Sequence, residues 1–456
     1  MRKTMKQQIK NVRLLNLREK SKWITTDVTV EDGIILSLEK DYPADKVFDG
    51  EGLVLSPGFV DIHMHEEDFS QTGDNTYDIA ECMLKMGVTT AMGGNCGSEK
   101  TDFHTFLDTV DKNGSPINYC LGAGYNSIRK EVGVLENEKP TKEQMLEIQK
   151  ILKEQVEDGA FGITFGIEYN PYLTVDEILE ALRPFYGRQD LFVAAHSRYD
   201  GYMANEGIKE MAEIARRSQI PFQISHLSSC CAYGKMEGCL KTIEENLNQG
   251  VDLLVDTYPY NAFSTQIGTS VFEGDFLKKW NASYEDIQLT EEPYSDLELD
   301  DDSFQEIRKN HPDMLVIAKV MNEYEIKKSL KKPYVMIASD GLYKEGNGHP
   351  RGAGTFPRVL GPYVREGVLT LEEALYKATL QPAKRLGLDK EIGKIEPGYR
   401  ADMVLFDPEE IEDCASFEDG QKPPLGIRQV WINGELALED NKIINDRLGR
   451  SRRRGK

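Results

Sequence analysis

Two histidines one residue apart, His63 and His65, follow a short apolar stretch that begins at Pro57 and Gly58. In a β-strand, residues i and i+2 point to the same face, so both imidazoles can converge at the carboxyl end of that strand. Neutral imidazole is the commonest metal ligand in proteins. Because the chain has only seven histidines, this spacing favours a metal site over two unrelated side chains.

Four more metal-capable side chains follow apolar stretches in the same way: Cys96, His196, His226 and Asp340. A thiolate combined with imidazoles suits zinc in a tetrahedral site with one position left for water. Such a site activates water near neutral pH and polarises a carbonyl. A nearby carboxylate can take the proton of the water and deliver it to a leaving amine. These residues therefore predict metal-assisted hydrolysis of an amide-like bond, with Asp340 as the general acid/base.

The segments that position these residues alternate between strand and helix patterns. Apolar and β-branched runs predict eight strands: Gly58–His65, Val88–Cys96, Ile117–Tyr125, Phe161–Tyr169, Leu191–Arg198, Pro221–Ser228, Val251–Tyr260 and Val335–Leu342. Amphipathic stretches between them predict helices: Tyr77–Met86, Lys142–Asp158, Val175–Tyr186, Gly207–Arg217 and Met236–Gln249. Eight such units predict an α/β fold with a (β/α)8 TIM-like barrel, whose active site lies at the carboxyl ends of its strands.

Short strand patterns flank the predicted barrel at both ends of the chain. We expect residues 1–57 and 386–456 to form one β-sandwich, with the barrel at 58–385. Inside the barrel, the acidic stretch at 263–330 predicts a small insertion before the eighth strand that covers the barrel mouth, and a disordered loop is the alternative. Leu371–Leu386 predicts a single helix.

Composition excludes several classes of partner. The formal charge of −22 over 456 residues argues against a nucleic-acid partner, which needs cationic side chains. Neither a signal peptide nor a membrane span is visible, and seven cysteines fit a reduced, cytoplasmic protein better than a disulfide framework. We expect the basic segment Arg447–Lys456 to be a solvated tail, with an interaction arm as the alternative.

Several motifs resemble the amidohydrolase superfamily, which implies a distorted barrel with a flanking β-sandwich. Most members carry a carboxylated lysine on the fourth strand, and Phe161–Tyr169 contains no lysine. The segment Gly94-Asn95-Cys96-Gly97 is instead similar to the N-acyl-D-amino-acid deacylase (D-aminoacylase) branch. Further segments agree with this resemblance: Gly166–Pro171, Gln223–His226, Asp256–Tyr260, Ser339–Gly341, His349–Gly352, Phe356–Gly361 and Pro397–Asp402.

The resemblance also implies roles for individual residues. Cys96, His196 and His226 would hold one tight zinc, and His63 and His65 a second, weaker metal or none. Asp340 would be the general acid/base. The carboxylate of the substrate would be bound by Tyr169 and Arg351, for which a bidentate guanidinium is well suited. Tyr258 either lines the pocket or packs in the core.

Two positions depart from the branch. It typically has a lysine where this chain has Ser228, and a Gly-His element where this chain reads Gly122-Ala123-Gly124-Tyr125-Asn126. Lys235, Arg198 or a residue of the insertion would replace the lysine.

The predicted function is zinc-dependent hydrolysis of the amide bond of small-molecule N-acyl amino acids, of D configuration, by a metal-activated water. The products would be a carboxylic acid and the free amino acid. The alternatives are cyclic amides of the hydantoinase or dihydroorotase type, isoaspartyl or acyl dipeptides, and a catalytically inactive scaffold.

Overall fold

A computed structural model describes residues 5–16, 22–69, 73 and 76–455. Both ends of the chain contribute to one nine-stranded sheet, which is joined where Val54–Pro57 pairs antiparallel with Met403–Phe406. The remaining strands of this sheet are Gln7–Asn16, Lys22–Glu31, Ile34–Ser37, Lys46–Asp49, Ile427–Ile432, Glu435–Glu439 and Lys442–Ile443. The expectation that the two termini share a β-layer is confirmed.

This terminal sheet encloses its own apolar core. Val12 and Val28 from the N-terminal strands pack in one cluster with Met403 and Trp431 from the C-terminal strands, and Trp431 is 1% exposed. Residues from several strands of the sheet therefore share one core. Two packed layers, as in a sandwich, stay a prediction.

Eight strands run parallel in the middle of the chain, and each lies inside a predicted segment. We number them β1 to β8: Phe59–Asp61, Val88–Gly93, Asn118–Leu121, Gly162–Gly166, Phe192–His196, Phe222–Ile224, Leu253–Thr257 and Val335–Ile337. One sheet holds β1 to β3, and a second holds Ala123–Gly124 followed by β4 to β8 in chain order.

Backbone contacts also connect β8 to β1. The amide N–H of Asp340 donates to the carbonyl oxygen of His63 at 2.7 Å, and that of His65 donates to Gly341 at 3.0 Å. The carboxylate of Asp61 accepts from the backbone amides of both His63 and Ser339. The ends of the first and eighth strands, which carry predicted site residues, are therefore fixed to each other.

Helices follow most of the parallel strands. They are Asp78–Lys85, Phe103–Asn113, Tyr125–Glu131, Lys142–Asp158, Val175–Leu182, Ala204–Ser218, Leu227–Cys231, Met236–Asn248, Glu323–Leu330, Arg351–Leu360, Pro362–Arg365, Leu371–Ala378 and Leu380–Arg385. The helix Lys142–Asp158 has the predicted bounds, because a capping box at Thr141 starts it and Gly159, with φ of +112°, ends it.

The prediction of a single helix over Leu371–Leu386 is wrong. The structure has two helices, separated at Thr379, whose φ and ψ of −132° and −79° are not helical. Pro382 has no N–H to donate to the carbonyl of Ala378, and its ring would clash with that carbonyl in a continuous helix. The break therefore falls in the turn before the proline.

The insertion is ordered. Its strands Phe263–Gln266, Ile287–Leu289 and Leu315–Ala318 form an antiparallel sheet, and its helices are Phe276–Trp280 and Asp301–Asn310. The alternative of a disordered loop is therefore wrong for this part of the chain. The rings of Phe272, Phe276, Trp280 and Phe304 pack together with centroids 5.3–5.8 Å apart. These aromatic contacts supply a small core of its own.

The expectation of a solvated C-terminal tail is wrong as far as Gly455. The segment crosses the amino ends of the parallel strands: the amide of Arg452 donates to Tyr119 at 2.7 Å, and that of Arg454 donates to Gly159 at 2.8 Å. Arg452 also forms a buried ion pair with Asp402 at 2.9 Å. The arginines of this segment form ion pairs with acidic side chains elsewhere in the protein. These ion pairs hold the segment against the protein surface.

Two further expectations concern cysteines and membranes. All seven cysteines are free thiols, and six of them are buried, as expected for a protein without a disulfide framework. Among the described residues, no helix has the length and apolar character needed to cross a bilayer.

The ion pair of the tail predicts a difference in stability between neighbouring arginines. Arg452→Met should lower the free energy of unfolding by about 3 kcal/mol, because it leaves Asp402 buried without its cation. Arg453→Met should cost less than about 1 kcal/mol, because its partner Asp108 is 77% exposed. Thermal and urea unfolding of both variants measure this difference. Equal losses would contradict the role given to the buried pair.

Candidate metal centre

The thiol of Cys96 lies where three imidazoles converge. Its Sγ is 3.4 Å from His63 Nε2, 3.5 Å from His226 Nε2 and 3.9 Å from His196 Nδ1. These residues lie at the carboxyl ends of β1, β2, β5 and β6, and all four are buried. The structure thus brings the thiol of Cys96 to an imidazole that lies 130 positions later in the sequence.

The potential ligand atoms form three overlapping groups, in each of which all atoms lie within 4.8 Å of one another. The groups are Cys96 with His196 and His226, Cys96 with His63 and His65, and Asp340 with His63 and His226. All six metal-capable residues singled out in the sequence belong to at least one group. Cys96, His63 and His226 each belong to two of the groups, so the three groups form one continuous cluster.

Three of these residues have a left-handed backbone conformation. The φ angles are +53° at Cys96, +31° at His226 and +51° at Asp340. Residues other than glycine adopt such angles at a cost of about 1–3 kcal/mol, and they concentrate at functional sites. At all three positions the chain leaves its strand sharply, and this turns the side chain toward the cluster.

Three of the imidazoles point one nitrogen at the thiol and bind an oxygen with the other. His63 Nδ1 lies 3.2 Å from Asp256 Oδ1, and His196 Nε2 lies 2.9 Å from Glu168 Oε2. His226 Nδ1 lies 2.6 Å from the hydroxyl oxygen of Ser229. An outer oxygen that fixes the ring and its tautomer is typical of metal-binding histidines. With its outer nitrogen held by an oxygen, each ring would release the proton of its inner nitrogen on metal binding and donate that lone pair to the metal.

The spacing of the donor atoms fits zinc. In a tetrahedral site with usual Zn–S and Zn–N bond lengths, sulfur and nitrogen ligands are about 3.5 Å apart. The thiol of Cys96 lies 3.4–3.9 Å from its three imidazole nitrogens. The donor set of one thiolate with imidazoles also suits zinc chemically.

The electrostatics of the cluster favour the ionised forms of both of its acids. Burial opposes ionisation of the Cys96 thiol, but the charges of His63 and His226 outweigh it and hold the pKa well below its usual value. Burial likewise opposes ionisation of Asp340, and the Arg351 guanidinium 2.8 Å away outweighs it, so this pKa also lies well below its usual range. A thiolate ligand and a carboxylate base are therefore both available.

A small cavity of about 30 Å³ opens onto the cluster. His196, His226 and Asp340 line it together with Tyr169, Arg351 and, from the insertion, Phe263. The structure therefore brings Tyr169 and Arg351 to the same pocket as the metal-capable residues. The ring of Tyr258 lies 4.7 Å from the guanidinium carbon of Arg351 and is fully buried. It therefore makes a cation–π contact with that arginine.

None of the replacements considered for the lysine at Ser228 is settled, but two can be placed. Lys235 is exposed at the start of the helix Met236–Asn248. Arg198 pairs with Glu210 at 2.9 Å and donates to the carbonyl of Pro171. Neither residue lines the cavity at the cluster.

Sequence reasoning missed three residues of the site. Glu168 and Asp256 lie at the carboxyl ends of β4 and β7, so the rule that singled out the histidines and Asp340 applies to them as well. Lys279, in the insertion, lies 3.2 Å from Glu168 Oε1 and 2.6 Å from Asp200 Oδ1. No local pattern marks this lysine, since only the tertiary fold brings it to the site.

A model of the amidohydrolase family matches residues 54–437. The chain belongs to this family. D-aminoacylase of Alcaligenes xylosoxydans xylosoxydans is 28% identical in an alignment 433 residues long, which covers 88% of this chain and 88% of that protein. The expected resemblance to the D-aminoacylase branch is thereby confirmed.

Solved structures agree with this family. A D-aminoacylase with a binuclear metal centre matches with a TM-score of 0.86 and 26% identity, over 98% of this chain and 99% of its own. The N-acyl-D-glutamate deacylase of Bordetella bronchiseptica, complexed with zinc and a phosphonate mimic of the tetrahedral intermediate, matches with a TM-score of 0.86 over 99% and 100%. At 24% identity, this second likeness concerns the fold alone.

The position of Cys96 predicts the effect of its removal on metal content. Cys96→Ala should lose the zinc that the cluster is expected to hold, because the thiol of Cys96 lies next to the imidazoles of His63, His196 and His226. After dialysis, elemental analysis should find about one zinc per chain in the wild type and almost none in the variant. Cys414→Ala, which removes a partly exposed thiol, is the control and should keep its zinc. Full zinc retention by Cys96→Ala would exclude the thiolate as a ligand.

Proposed function

We propose that this amidohydrolase is a zinc-dependent deacylase of N-acyl amino acids of D configuration. The observation that carries the proposal is that one pocket combines the thiol–imidazole cluster, an ionised carboxylate at Asp340 and the guanidinium of Arg351. The similarity to D-aminoacylase over most of the chain supports the substrate class. The reaction would cleave a linear amide into a carboxylic acid and a free amino acid.

The metal would be held tightly by Cys96, His196 and His226. Zinc in such a site supplies Lewis acidity toward an amide carbonyl and activates water near neutral pH. His63 and His65 would form a second, weaker divalent site, since His63 also lies within reach of Cys96 and His65 faces Asp340 at 3.2 Å.

Asp340 would serve as the general base and then as the general acid. Its carboxylate lies 3.5 Å from His63 Nε2 and 3.2 Å from His65 Nε2. It would therefore lie next to a water molecule bound to a metal in this cluster. Because Arg351 holds it ionised, it can accept a proton from water and pass it to the amine that leaves.

Arg351 and Tyr169 would bind the carboxylate of the substrate. Arg351 is 2% exposed and donates to the carbonyl of Ser264 through Nη2. Its Nε makes no hydrogen bond within the described part of the chain, so a donor remains for a ligand. Tyr169 packs against the His196 ring at 4.6 Å and lines the same cavity as Arg351.

The fold that carries this site would be a distorted (β/α)8 barrel. Closure of the barrel is supported by the contacts between β8 and β1 at Asp340 and Gly341. It is also supported at the other junction of the two sheets, because only one residue separates Asn118–Leu121 in the first sheet from Ala123–Gly124 in the second. We assign residues 58–385 to the barrel, with the insertion at 263–330, and residues 1–57 and 386–456 to the terminal β-domain.

A substrate screen tests this function. N-acetyl and N-formyl D- and L-amino acids, dihydroorotate, a hydantoin and an isoaspartyl dipeptide are incubated with zinc-loaded protein, and release of free amine or acid is measured. We expect turnover of the linear D-substrates. Preference for a cyclic amide would instead support a hydantoinase or dihydroorotase activity, and no turnover of any substrate would support an inactive scaffold.

The role of Asp340 predicts a loss of turnover without a loss of metal. Asp340→Asn should lower kcat by about 10²–10⁴-fold, since it removes the proton acceptor, while zinc content stays at the wild-type level. Normal turnover in this variant would exclude Asp340 as the base.

The carboxylate clamp predicts a selective effect of Arg351→Lys. This variant keeps the positive charge beside Asp340 but loses the fork of donors. For N-acetyl-D-leucine, kcat/KM should fall about 100-fold, whereas N-acetyl-D-leucinamide, which lacks the carboxylate, should be hydrolysed as by the wild type. Equal losses for both compounds would show that the arginine acts on structure alone.

A further inference from the structure

The insertion touches the segment that carries the metal-binding His196. Lys279, in the short helix Phe276–Trp280, places its Nζ 2.6 Å from Asp200 Oδ1 and 3.2 Å from Glu168 Oε1. The other oxygen of Glu168 lies 2.9 Å from His196 Nε2. A continuous path of charged contacts thus runs from the insertion to an imidazole of the metal centre.

Neighbouring contacts fix this arrangement. The indole N–H of Trp280 donates to Asp200 Oδ2 at 2.6 Å, and the hydroxyl of Ser270 donates to the backbone carbonyl of Glu168 at 2.6 Å. Gly201 has φ of +57°, and a side chain there would meet the carbonyl oxygen of Lys279 at 2.3 Å. A glycine is therefore required at this position for the insertion to approach so closely.

The electrostatics make the lysine necessary. The carboxylates of Glu168 and Asp200 have side chains only 11% and 6% exposed, and both contact the same ammonium group. Without that cation, two buried like charges would face each other at short range, which strongly disfavours keeping both ionised and in place. Glu168 would then no longer be held toward His196.

We propose that Lys279 is a positioning residue of the metal centre, which acts through Glu168 to hold His196 with Nδ1 facing the thiol of Cys96. The insertion is thus a brace for a zinc ligand as well as a cover for the pocket. This inference rests on the proposed zinc site, and its test measures metal affinity, which does not depend on the identity of the substrate.

Zinc affinity measured by chelator competition tests the proposal. Lys279→Met should weaken zinc binding about 10–100-fold, as expected for loss of an outer partner of a ligand. Lys278→Met is the matched control, because Lys278 is its exposed neighbour in the same helix, and it should bind zinc as the wild type does. Lys279→Arg, which keeps a cation within reach of both carboxylates, should restore most of the affinity.

A double-mutant cycle tests whether the lysine acts through Glu168. Glu168→Gln should weaken zinc binding in the same range, and Lys279→Met combined with Glu168→Gln should bind zinc no more weakly than Glu168→Gln alone. The absorption spectrum of the cobalt-substituted protein should change in both single variants, because the geometry at His196 changes. If Lys279→Met does not fold, Lys279→Gln, which removes the cation but keeps a polar side chain between the two carboxylates, carries the same test.

The outcomes separate the two proposals. Wild-type affinity and an unchanged cobalt spectrum in folded Lys279→Met would overturn the positioning role while leaving the zinc site intact. Effects of Lys279→Met and Glu168→Gln that multiply would overturn the path through Glu168. Failure of the wild-type protein to bind zinc would overturn the proposed metal centre, and the positioning role with it.

Discussion

The site depends on one buried thiol among imidazoles. Cys96 lies within 3.9 Å of nitrogens from three strands, and a thiolate in such a place is stable only if positive charge surrounds it. The histidines supply that charge, and each needs an oxygen behind it to fix its ring. These oxygens come from Asp256, Glu168 and Ser229. A stable thiolate at Cys96 therefore requires particular side chains at the ends of several strands.

The same requirement explains why the backbone is strained where it is. Cys96, His226 and Asp340 all have positive φ, although none of them is glycine. A side chain that continued along its strand would point up from the sheet, not across the ends of the strands. The left-handed turn redirects it toward the centre, and the surrounding contacts, such as the bond from the amide of His226 to Asp256 at 2.7 Å, compensate for the cost.

Local patterns predicted the parts of this structure that depend on short stretches of chain. The strand positions, the helix Lys142–Asp158 and the convergence of His63, His196 and His226 follow from periodicity and from the geometry of parallel strands. The helix break at Thr379 was also local, and attention to Pro382 would have found it. The docking of the tail and the position of Lys279 could not be read in this way, because each depends on partners 50 or more residues away whose approach is set by the complete fold.

The insertion must satisfy two opposing demands. The cavity of about 30 Å³ has room for one or two water molecules, so the proposed N-acyl amino acid would need its lining to move. The segment from Ser270 to Trp280 cannot supply that motion without releasing Glu168 and Asp200. The strand Phe263–Gln266 also lines the pocket but holds neither of these carboxylates. A displacement of this strand would widen the cavity at the cost of the hydrogen bond from Arg351 to Ser264, while the contacts of Lys279 with Glu168 and Asp200 would stay intact, so the two demands fall on different parts of one insertion.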